Sequence, residues 1–280
     1  MAAKRLSTRA VSRPWGRTAF PVEFEHVQTD APVGEFWFID TDRDDAQLLV
    51  KYLFTSERLS IQVHPDDAAA RARGLAHGKD EAWYILDAEP GAVIGLGLTE
   101  TIPPEALRTA ARDGSIEGLI DWRPAKAGDL FWSPAGTIHA IGGGLSLIEV
   151  QQNLDLTYRL YDYGRPRELH LDDAVAVADP APASPPAKPR DLGAERSVLV
   201  EGSSFILEKW ALASRARLQS DDGELLLMPI AGNGRIDGGQ LSPGSVWRVD
   251  GEAELDAGNG LELLAAYPGA TVVEEICVFI

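Results

Sequence analysis

Short apolar segments recur along the whole chain, and turns rich in Gly, Pro and Asp separate them. Their content of β-branched and aromatic residues is typical of strands. We predict strands at residues 35–40, 48–55, 59–64, 81–86, 130–133, 145–152, 205–212, 225–230, 246–249 and 261–266. Many short strands with few helices indicate an all-β barrel or sandwich.

Two segments carry helix signals instead. One helix is predicted from Pro103 or Pro104 to Ala111, because proline suits the first helical positions and Gly114 follows as a C-terminal stop. A shorter helix is predicted at 68–73, where the Asp66 side chain can cap the first turn. We therefore expect a mainly β protein with a few short helices.

A proline-rich segment divides the chain. Residues 179–189 read DPAPASPPAKP, with five prolines in eleven residues, a composition typical of a stiff extended linker. All five histidines precede this segment, so the part beyond it offers no histidine for a metal. The predicted organisation is a first β domain at 1–178, a linker at 179–190 and a second β domain at 191–280.

The charge balance excludes several kinds of partner. The chain carries 26 Lys and Arg against 43 Asp and Glu, a formal net charge of −17. That balance repels nucleic-acid phosphates and anionic lipid, and no apolar run approaches the roughly 18 residues of a membrane-spanning helix. We therefore expect neither nucleic acid nor a membrane as a partner.

Two further compositional features concern the cellular location and the N-terminal segment. Cys277 is the only cysteine, which excludes an intrachain disulfide and fits a cytoplasmic location. The first 22 residues carry basic but no acidic side chains. We expect a solvated tail there.

Polar residues alternate along one predicted strand. In residues 59–64 a period of two puts Ser60, Gln62 and His64 on one face and three aliphatic side chains on the other. Inside a barrel these groups need a hydrogen-bond network or a metal, because burying them unpaired costs several kcal/mol. A strand whose polar face meets solvent explains this segment equally well.

A second segment favours the metal. It reads Gly128-x5-Pro134-x-Gly136-x2-His139, so a tight turn brings His139 to the start of the next strand. The spacing resembles the second conserved motif of the cupin superfamily, small β-barrels that hold one metal ion inside. The resemblance implies two cupin-like (jelly-roll) β-barrels, of which only the first holds a metal.

Four phrases of the first domain are more distinctive. They are SIQVHPDD at 60–67, GKDEAWYIL at 78–86, GTIHAI at 136–141 and IEVQQNLDLTYRLYD at 148–162. Together they resemble the type I mannose-6-phosphate isomerases, in particular the short bacterial form, closely over residues 15–171 and loosely beyond. One departure is Asp80, which stands where Thr or Pro is more usual and bears on the shape of that loop.

The resemblance implies a set of four metal ligands: Gln62, His64, Glu81 and His139. Two imidazole nitrogens, one carboxylate and one amide oxygen suit one Zn²⁺ per chain and leave open positions for substrate or water. Fe²⁺ and Mn²⁺ tolerate the same ligands. A lone histidine is more often a surface or hydrogen-bonded residue than a ligand, and on that ground we leave out His26, His77 and His170.

The resemblance also assigns residues to the reaction. It implies catalytic roles for Arg159, Lys79 and Glu149, and substrate binding by Arg159, Lys79 and Ser60. Without the resemblance, Arg159 is readily explained as a cross-strand partner of an acidic residue, Asp155 or Asp162. Glu149 and a metal-bound hydroxide are both candidates for the general base.

The implied activity is that of an aldose-ketose isomerase, which interconverts mannose 6-phosphate and fructose 6-phosphate through a cis-enediolate. Its partner would be a small hexose phosphate, and we expect a monomer or a weak homo-oligomer. Two alternatives stay open: a cupin dioxygenase and a non-catalytic sugar-phosphate-binding protein. Gln62 and the segment 158–162 resemble the isomerase pattern specifically.

Overall fold

The computed structural model describes residues 2–25, 30–185, 188–193 and 195–280, and the fold is mainly β with few helices. The strands up to residue 161 are β1 (Ala3–Arg5), β2 (Ser7–Arg17), β3 (Val33–Ile39), β4 (Leu48–Phe54), β5 (Ile61–Val63), β6 (Glu81–Ala88), β7 (Val93–Leu98), β8 (Ile120–Pro124), β9 (Leu130–Ser133), β10 (His139–Ile141), β11 (Leu145–Gln152) and β12 (Tyr158–Tyr161). The later strands are β13 (Arg190–Gly193), β14 (Arg196–Glu201), β15 (Phe205–Leu212), β16 (Arg215–Gly232), β17 (Gly234–Ile236), β18 (Gly239–Leu241), β19 (Trp247–Asp256), β20 (Leu261–Pro268) and β21 (Cys277–Phe279).

Three α-helices lie between the strands: α1 (Asp67–Arg71), α2 (Pro104–Asp113) and α3 (Leu171–Val177). Short 3₁₀ helices cover Ser115–Gly118 and Glu274–Ile276. Both predicted helices are confirmed, since Asp66 caps α1 by accepting from the Ala69 amide and Gly114 ends α2 at a φ of 84°. None of the described helices is long and apolar enough to cross a lipid bilayer.

The strands form three antiparallel sheets. Sheet I has the order β2-β3-β4-β11-β6-β9, and sheet II the order β12-β5-β10-β7-β8. Sheet III has the order β13-β14-β15-β20-β16-β19-β17-β18, with β1 paired to β19 and β21 paired to β16. The strands predicted at 130–133, 145–152 and 205–212 are confirmed with those bounds as β9, β11 and β15.

Apolar layers hold the sheets together. Between sheets I and II lies a core that includes Trp83, Leu147 and Ile94. The opposite face of sheet I packs on sheet III through residues such as Phe36 and Phe205. A third core lies on the outer face of sheet II under α2 and α3. Sheet I therefore packs between sheets II and III.

Alternation along the strands of sheet I decides what faces that space. On β11, Ile148 and Val150 face sheet III, so Leu147, Glu149 and Gln151 face sheet II. The same alternation on the neighbouring strands points three more charged residues inward: Glu35, Lys51 and Glu81. Between sheets I and II, the apolar core therefore gives way in part to charged groups.

The basic N-terminal segment is ordered, and the expectation of a solvated tail was wrong. β1 pairs with β19 of sheet III, and β2 pairs with β3 of sheet I. The cations find acids on other strands, as Lys4 Nζ does at 3.0 Å from Asp40 Oδ1. Because those acids are distant in sequence, the local excess of basic residues resembled a tail.

The first part of the predicted linker contacts sheet II and its loops. The Pro180 and Ala181 carbonyls each accept a 3.0 Å hydrogen bond, from the amides of Ile102 and Leu98. The Asp179 amide donates to the Gly136 carbonyl at 2.8 Å. Residues 186 and 187 lie outside the described residues. The domain boundary itself stays a prediction.

Candidate metal centre and substrate cavity

Three side chains from different strands of sheets I and II meet at one point. His64 follows β5, Glu81 begins β6 and His139 begins β10, and all three are buried. The Glu81 carboxylate oxygens lie 3.3 Å from Nε2 of His64 and 3.3 Å from Nε2 of His139. One ligand atom from each residue lies within 4.8 Å of the others, a spacing suitable for one metal ion.

Gln62, the fourth predicted ligand, lies beside this cluster. It is the register partner of His139 across β5 and β10, and its amide nitrogen lies 3.3 Å from His139 Nε2 and 3.5 Å from His64 Nε2. Its Oε1 accepts from Ser60 Oγ at 2.9 Å. An amide presents a ligand oxygen after a half-turn about its last bond, so all four predicted ligands can face one point.

The protonation states of this cluster fit a cation. Burial, followed by the Lys79 ammonium, lowers the pKa of His64 to about 3, and burial also lowers the pKa of His139. Burial would raise the pKa of Glu81, but the Lys79 ammonium at 2.8 Å acts against it, and that pKa is held well below its usual range. Neutral imidazoles and an ionised carboxylate are the forms that bind metals.

The hydrogen bonds around the cluster point the same way. His139 Nδ1 donates to the Thr137 carbonyl at 2.9 Å, which fixes the tautomer and leaves the Nε2 lone pair facing Glu81. Glu81 Oε2 is buried without a hydrogen-bond partner among the described residues. A buried carboxylate oxygen of this kind is costly unless a cation satisfies it, so the residues present fit a divalent metal.

Close backbone packing holds the loops that carry these ligands. The Gly136 amide donates to the His64 carbonyl at 2.9 Å, and the Lys79 amide donates to the Pro65 carbonyl at 3.0 Å. At Gly78 a Cβ atom would lie 2.5 Å from the Asp66 carbonyl carbon. Only glycine therefore fits where the loop before Glu81 crosses the loop after His64.

A cavity of about 350 Å³ opens beside the cluster. Of the predicted site residues, those that line it are Ser60, Gln62, Lys79, Glu81, Glu149 and Arg159. His64 and His139 lie behind this lining, in contact with Glu81. The structure thus brings all eight predicted site residues together. A second cavity, of about 420 Å³, is lined only by residues from position 215 onward and contains none of them.

Lys51 and Glu149 form a buried ion pair on the cavity wall, and the sequence analysis missed Lys51. Lys51 Nζ donates to Glu149 Oε1 at 2.9 Å and also to Gln151 Oε1, while Trp83 Nε1 donates to Glu149 Oε2 at 3.0 Å. Burial opposes the charged form, but Glu149 and Glu35 outweigh it and raise the pKa of Lys51. A lysine inside the otherwise apolar strand LLVKYLF was the signal available in the sequence.

A second missed pair, Arg13 and Glu35, lines the cavity next to Lys51. Arg13 donates two hydrogen bonds to the Glu35 carboxylate, at 3.1 Å from Nε and 3.0 Å from Nη2, and Trp37 Nε1 donates a third at 2.6 Å. Burial would raise the pKa of Glu35, but Lys51 and Arg13 outweigh it and lower that pKa. Glu35 is therefore a fixed negative charge.

Arg159 has no ion-pair partner among the described residues. It is the register partner of Gln62 across β12 and β5, and its buried Nε lacks a hydrogen-bond partner in this part of the chain. Asp162, which sequence reasoning allowed as its partner, instead pairs with Arg167 at 2.6 Å and Arg165 at 3.0 Å. Burial, and then the nearby Arg167, lower the pKa of Arg159.

The two other histidines that the structure describes, His77 and His170, lie outside the metal cluster. His77 Nδ1 is 3.0 Å from the Gly78 carbonyl, and His26 lies outside the described residues. His170 was left out of the predicted site, yet it lines the cavity together with Arg167, and its Nδ1 accepts from the Arg159 amide at 3.2 Å. Its isolated position in the sequence carried no signal of this role.

The fold and the site together define a class: a mainly β protein with a buried His–Glu–His centre beside a cavity lined by cationic groups. No family model matches the chain. It is 37% identical to the mannose-6-phosphate isomerase of Streptococcus mutans over 237 residues, which cover 77% of this chain and 74% of that protein. It is also 37% identical to the Bacillus subtilis mannose-6-phosphate isomerase ManA over 216 residues, 72% of this chain and 67% of the relative. The chain belongs to the mannose-6-phosphate isomerase family.

Solved structures agree with this assignment. A crystal structure of the mannose 6-phosphate isomerase from Bacillus subtilis matches with a TM-score of 0.83 and 27% identity, covering 95% of this chain and all of that one. A zinc-bound mannose 6-phosphate isomerase matches with a TM-score of 0.73, covering 96% of this chain and 100% of that one. Its identity of 14% makes it a comparison of the fold alone.

Proposed function

We propose that this protein interconverts mannose 6-phosphate and fructose 6-phosphate, moving a proton between C1 and C2 through a cis-enediolate. One observation carries the proposal: the buried His64–Glu81–His139 cluster opens beside a cavity in which Arg159 has no ion-pair partner among the described residues. Family membership at 37% identity supports the same reaction. The dioxygenase and the binding protein have no such support.

The metal would be held by the four predicted ligands, Gln62, His64, Glu81 and His139. Two neutral imidazoles, an amide and a single carboxylate leave a net charge of about +1 on a bound Zn²⁺, with positions open toward the cavity. A divalent cation there supplies Lewis-acid chemistry for the substrate's carbonyl and hydroxyl oxygens. Fe²⁺ and Mn²⁺ accept the same donors, and metal analysis decides among them.

Glu149 is our candidate for the general base. It lines the cavity, and its carboxylate is fixed at both oxygens by Lys51 and Trp83, which still leaves lone pairs free. Glu149 takes the proton from C2 of the aldose and returns it to C1, while the hydroxyl proton moves from O2 to O1, and the two transfers together give the ketose. Because Glu149 gives back the proton that it takes, the enzyme ends each turnover in its starting protonation state.

Cations of the chain stabilise negative charge on the substrate. Arg159 presents a planar fork that can bind the phosphate or the developing oxyanion through two hydrogen bonds. Lys79 Nζ already contacts Glu81 Oε1 at 2.8 Å, so it balances the charge of the centre as well as lining the cavity. Ser60 donates to Gln62 in this structure and must turn its hydroxyl to donate to phosphate.

We also propose the domain organisation predicted above. Residues 1–178 would form the catalytic cupin-like barrel, 179–190 the linker and 191–280 a cupin-like barrel without a metal site. The location of the whole His–Glu–His cluster before residue 140 supports this division. The buried, single Cys277 fits the reducing cytoplasm, and size-exclusion chromatography tests the expected monomer or weak homo-oligomer.

A coupled assay for fructose 6-phosphate formed from mannose 6-phosphate tests the activity. We expect turnover that a chelator abolishes and that added Zn²⁺ restores. Oxygen uptake would identify the dioxygenase instead. Binding of the sugar phosphate without turnover by the metal-loaded protein would identify the sensor and refute the proposal.

A further inference from the structure

Asp80 joins three separate segments of the chain. Its Oδ1 accepts from the Ala135 amide at 2.8 Å, in the turn that leads to His139. Its Oδ2 accepts from Ser204 Oγ at 2.5 Å. Its backbone pairs with Gln152, whose Oε1 accepts from the Asp80 amide at 3.0 Å. Asp80 itself is buried and directly precedes the predicted ligand Glu81.

Ser204 comes from the C-terminal half of the chain, in the turn between β14 and β15. This turn packs against β9, because the Phe205 ring meets the Trp132 ring edge-on at a centroid distance of 5.3 Å. Gly202 also lies against Trp132, where a Cβ would come within 3.0 Å of the indole. These contacts with Trp132 hold the turn against β9. The turn thereby places Ser204 beside Asp80.

We propose that Asp80 and Ser204 are positioning residues, through which the C-terminal half of the chain sets the geometry of the metal ligands Glu81 and His139. This inference rests on the proposed function for its catalytic consequence only. Neither residue lines the cavity, so neither touches substrate. The C-terminal half thereby acts on the metal site through the Asp80 carboxylate and supplies no metal ligand of its own.

The hydrogen bond between Ser204 and Asp80 bears on two predicted metal ligands, Glu81 and His139. Asp80 lies next to Glu81 in sequence, and the Ala135 amide that it binds lies in the Pro134–Gly136 turn before His139. The same turn donates from the Gly136 amide to the His64 carbonyl. Without Ser204 the carboxylate keeps only the Ala135 amide as a partner, so the turn before His139 is held less firmly relative to Glu81. Outer groups of this kind typically change metal affinity by about 10–100-fold.

The test compares four variants with the wild-type protein, using Zn²⁺ affinity and the visible spectrum of Co²⁺ bound in place of Zn²⁺. Ser204→Ala and Asp80→Ala remove the contact, whereas Asp80→Asn keeps both, because its oxygen accepts from Ala135 and its NH₂ donates to Ser204. Ser203→Ala is the matched control, since Ser203 is the exposed neighbour in the same turn.

We expect Ser204→Ala and Asp80→Ala to weaken Zn²⁺ binding about tenfold and to shift the Co²⁺ absorption bands. Turnover should fall about tenfold with KM changed less than twofold, while Asp80→Asn and Ser203→Ala stay near wild type. A Ser204→Ala protein with wild-type Zn²⁺ affinity and Co²⁺ spectrum overturns the proposal, even if its melting temperature falls. If the wild type shows no isomerase turnover, the metal measurements still decide this inference while the proposed function fails.

Discussion

Arg159→Ala removes a guanidinium from the cavity wall without breaking an ion pair within the described residues. The side chain has no carboxylate partner there, and its buried Nε has no acceptor. Its backbone contacts, including the amide that donates to His170, remain in the variant. We therefore expect a folded protein with unchanged metal content, whose stability differs from wild type by less than about 1 kcal/mol.

The catalytic loss should be much larger than the change in stability. A charge-assisted contact made to the transition state is worth about 3–4 kcal/mol, which corresponds to roughly 10²–10³ in rate. Relief of repulsion from the nearby Arg167 opposes any loss of stability, since that cation lowers the pKa of Arg159. Arg159→Lys should restore little, because a point charge on a flexible stem does not reproduce the planar fork.

The assay measures turnover, metal content and melting temperature on the same preparations. Arg165→Ala is the matched control, because Arg165 pairs with Asp162 at 3.0 Å and does not line the cavity. We expect the control to lose stability and keep turnover, the reverse of Arg159→Ala. If Arg159→Ala retained near-normal turnover, or lost activity only because it no longer folded, the catalytic assignment would be abandoned.

Three further predictions follow from the same contacts. Purified protein should hold about one equivalent of transition metal and His139→Ala none; two equivalents, or retention in the variant, would show the ligand set to be wrong. Glu35→Gln should cost about 1.5–3 kcal/mol at pH 7, because Glu35 accepts three hydrogen bonds, and urea unfolding checks this. Since the folded pKa of Glu35 is lowered, that stabilisation is present above the usual carboxyl pKa of 4.5 and is lost as pH falls, so the two proteins should converge in acid. Gly78→Ala should lower metal affinity and melting temperature, whereas Gly118→Ala, whose Cβ would meet nothing within 4 Å, should change neither.

Residues that alternate along one strand were predictable from the sequence. The segment 59–64 put Ser60, Gln62 and His64 on one face by its period alone, and Gln62 and His64 do reach the metal cluster. Strand β11 kept its predicted bounds, and within it Ile148 and Val150 lie on the face that meets sheet III. The face on which a strand residue lies depends on the local sequence pattern, so it can be predicted without knowing which strands pair.

Pairs formed across sheets were not predictable in the same way. Lys51 and Glu149 are 98 residues apart, and only the register of β4 on β11 makes them partners. Asp80 and Ser204 are 124 residues apart and meet where two sheets pack. The basic N-terminal segment was misjudged for the same reason, since its acidic partners lie on other strands. These pairings cannot be inferred from a single sequence, because they depend on the register of the strands and on how the sheets pack.

The pairing of charges in the cavity explains how a protein with a net charge of −17 can bind a phosphate ester. Most of the cavity's cations are neutralised by a carboxylate within 3.0 Å: Arg13 by Glu35, Lys51 by Glu149, Lys79 by Glu81 and Arg167 by Asp162. Among the described lining residues, Arg159 is the arginine or lysine left without such a partner. These ion pairs contribute little net charge to the cavity wall. Attraction for an anion is therefore concentrated at Arg159 and at the candidate metal centre. We therefore expect an anionic substrate to bind at these two points.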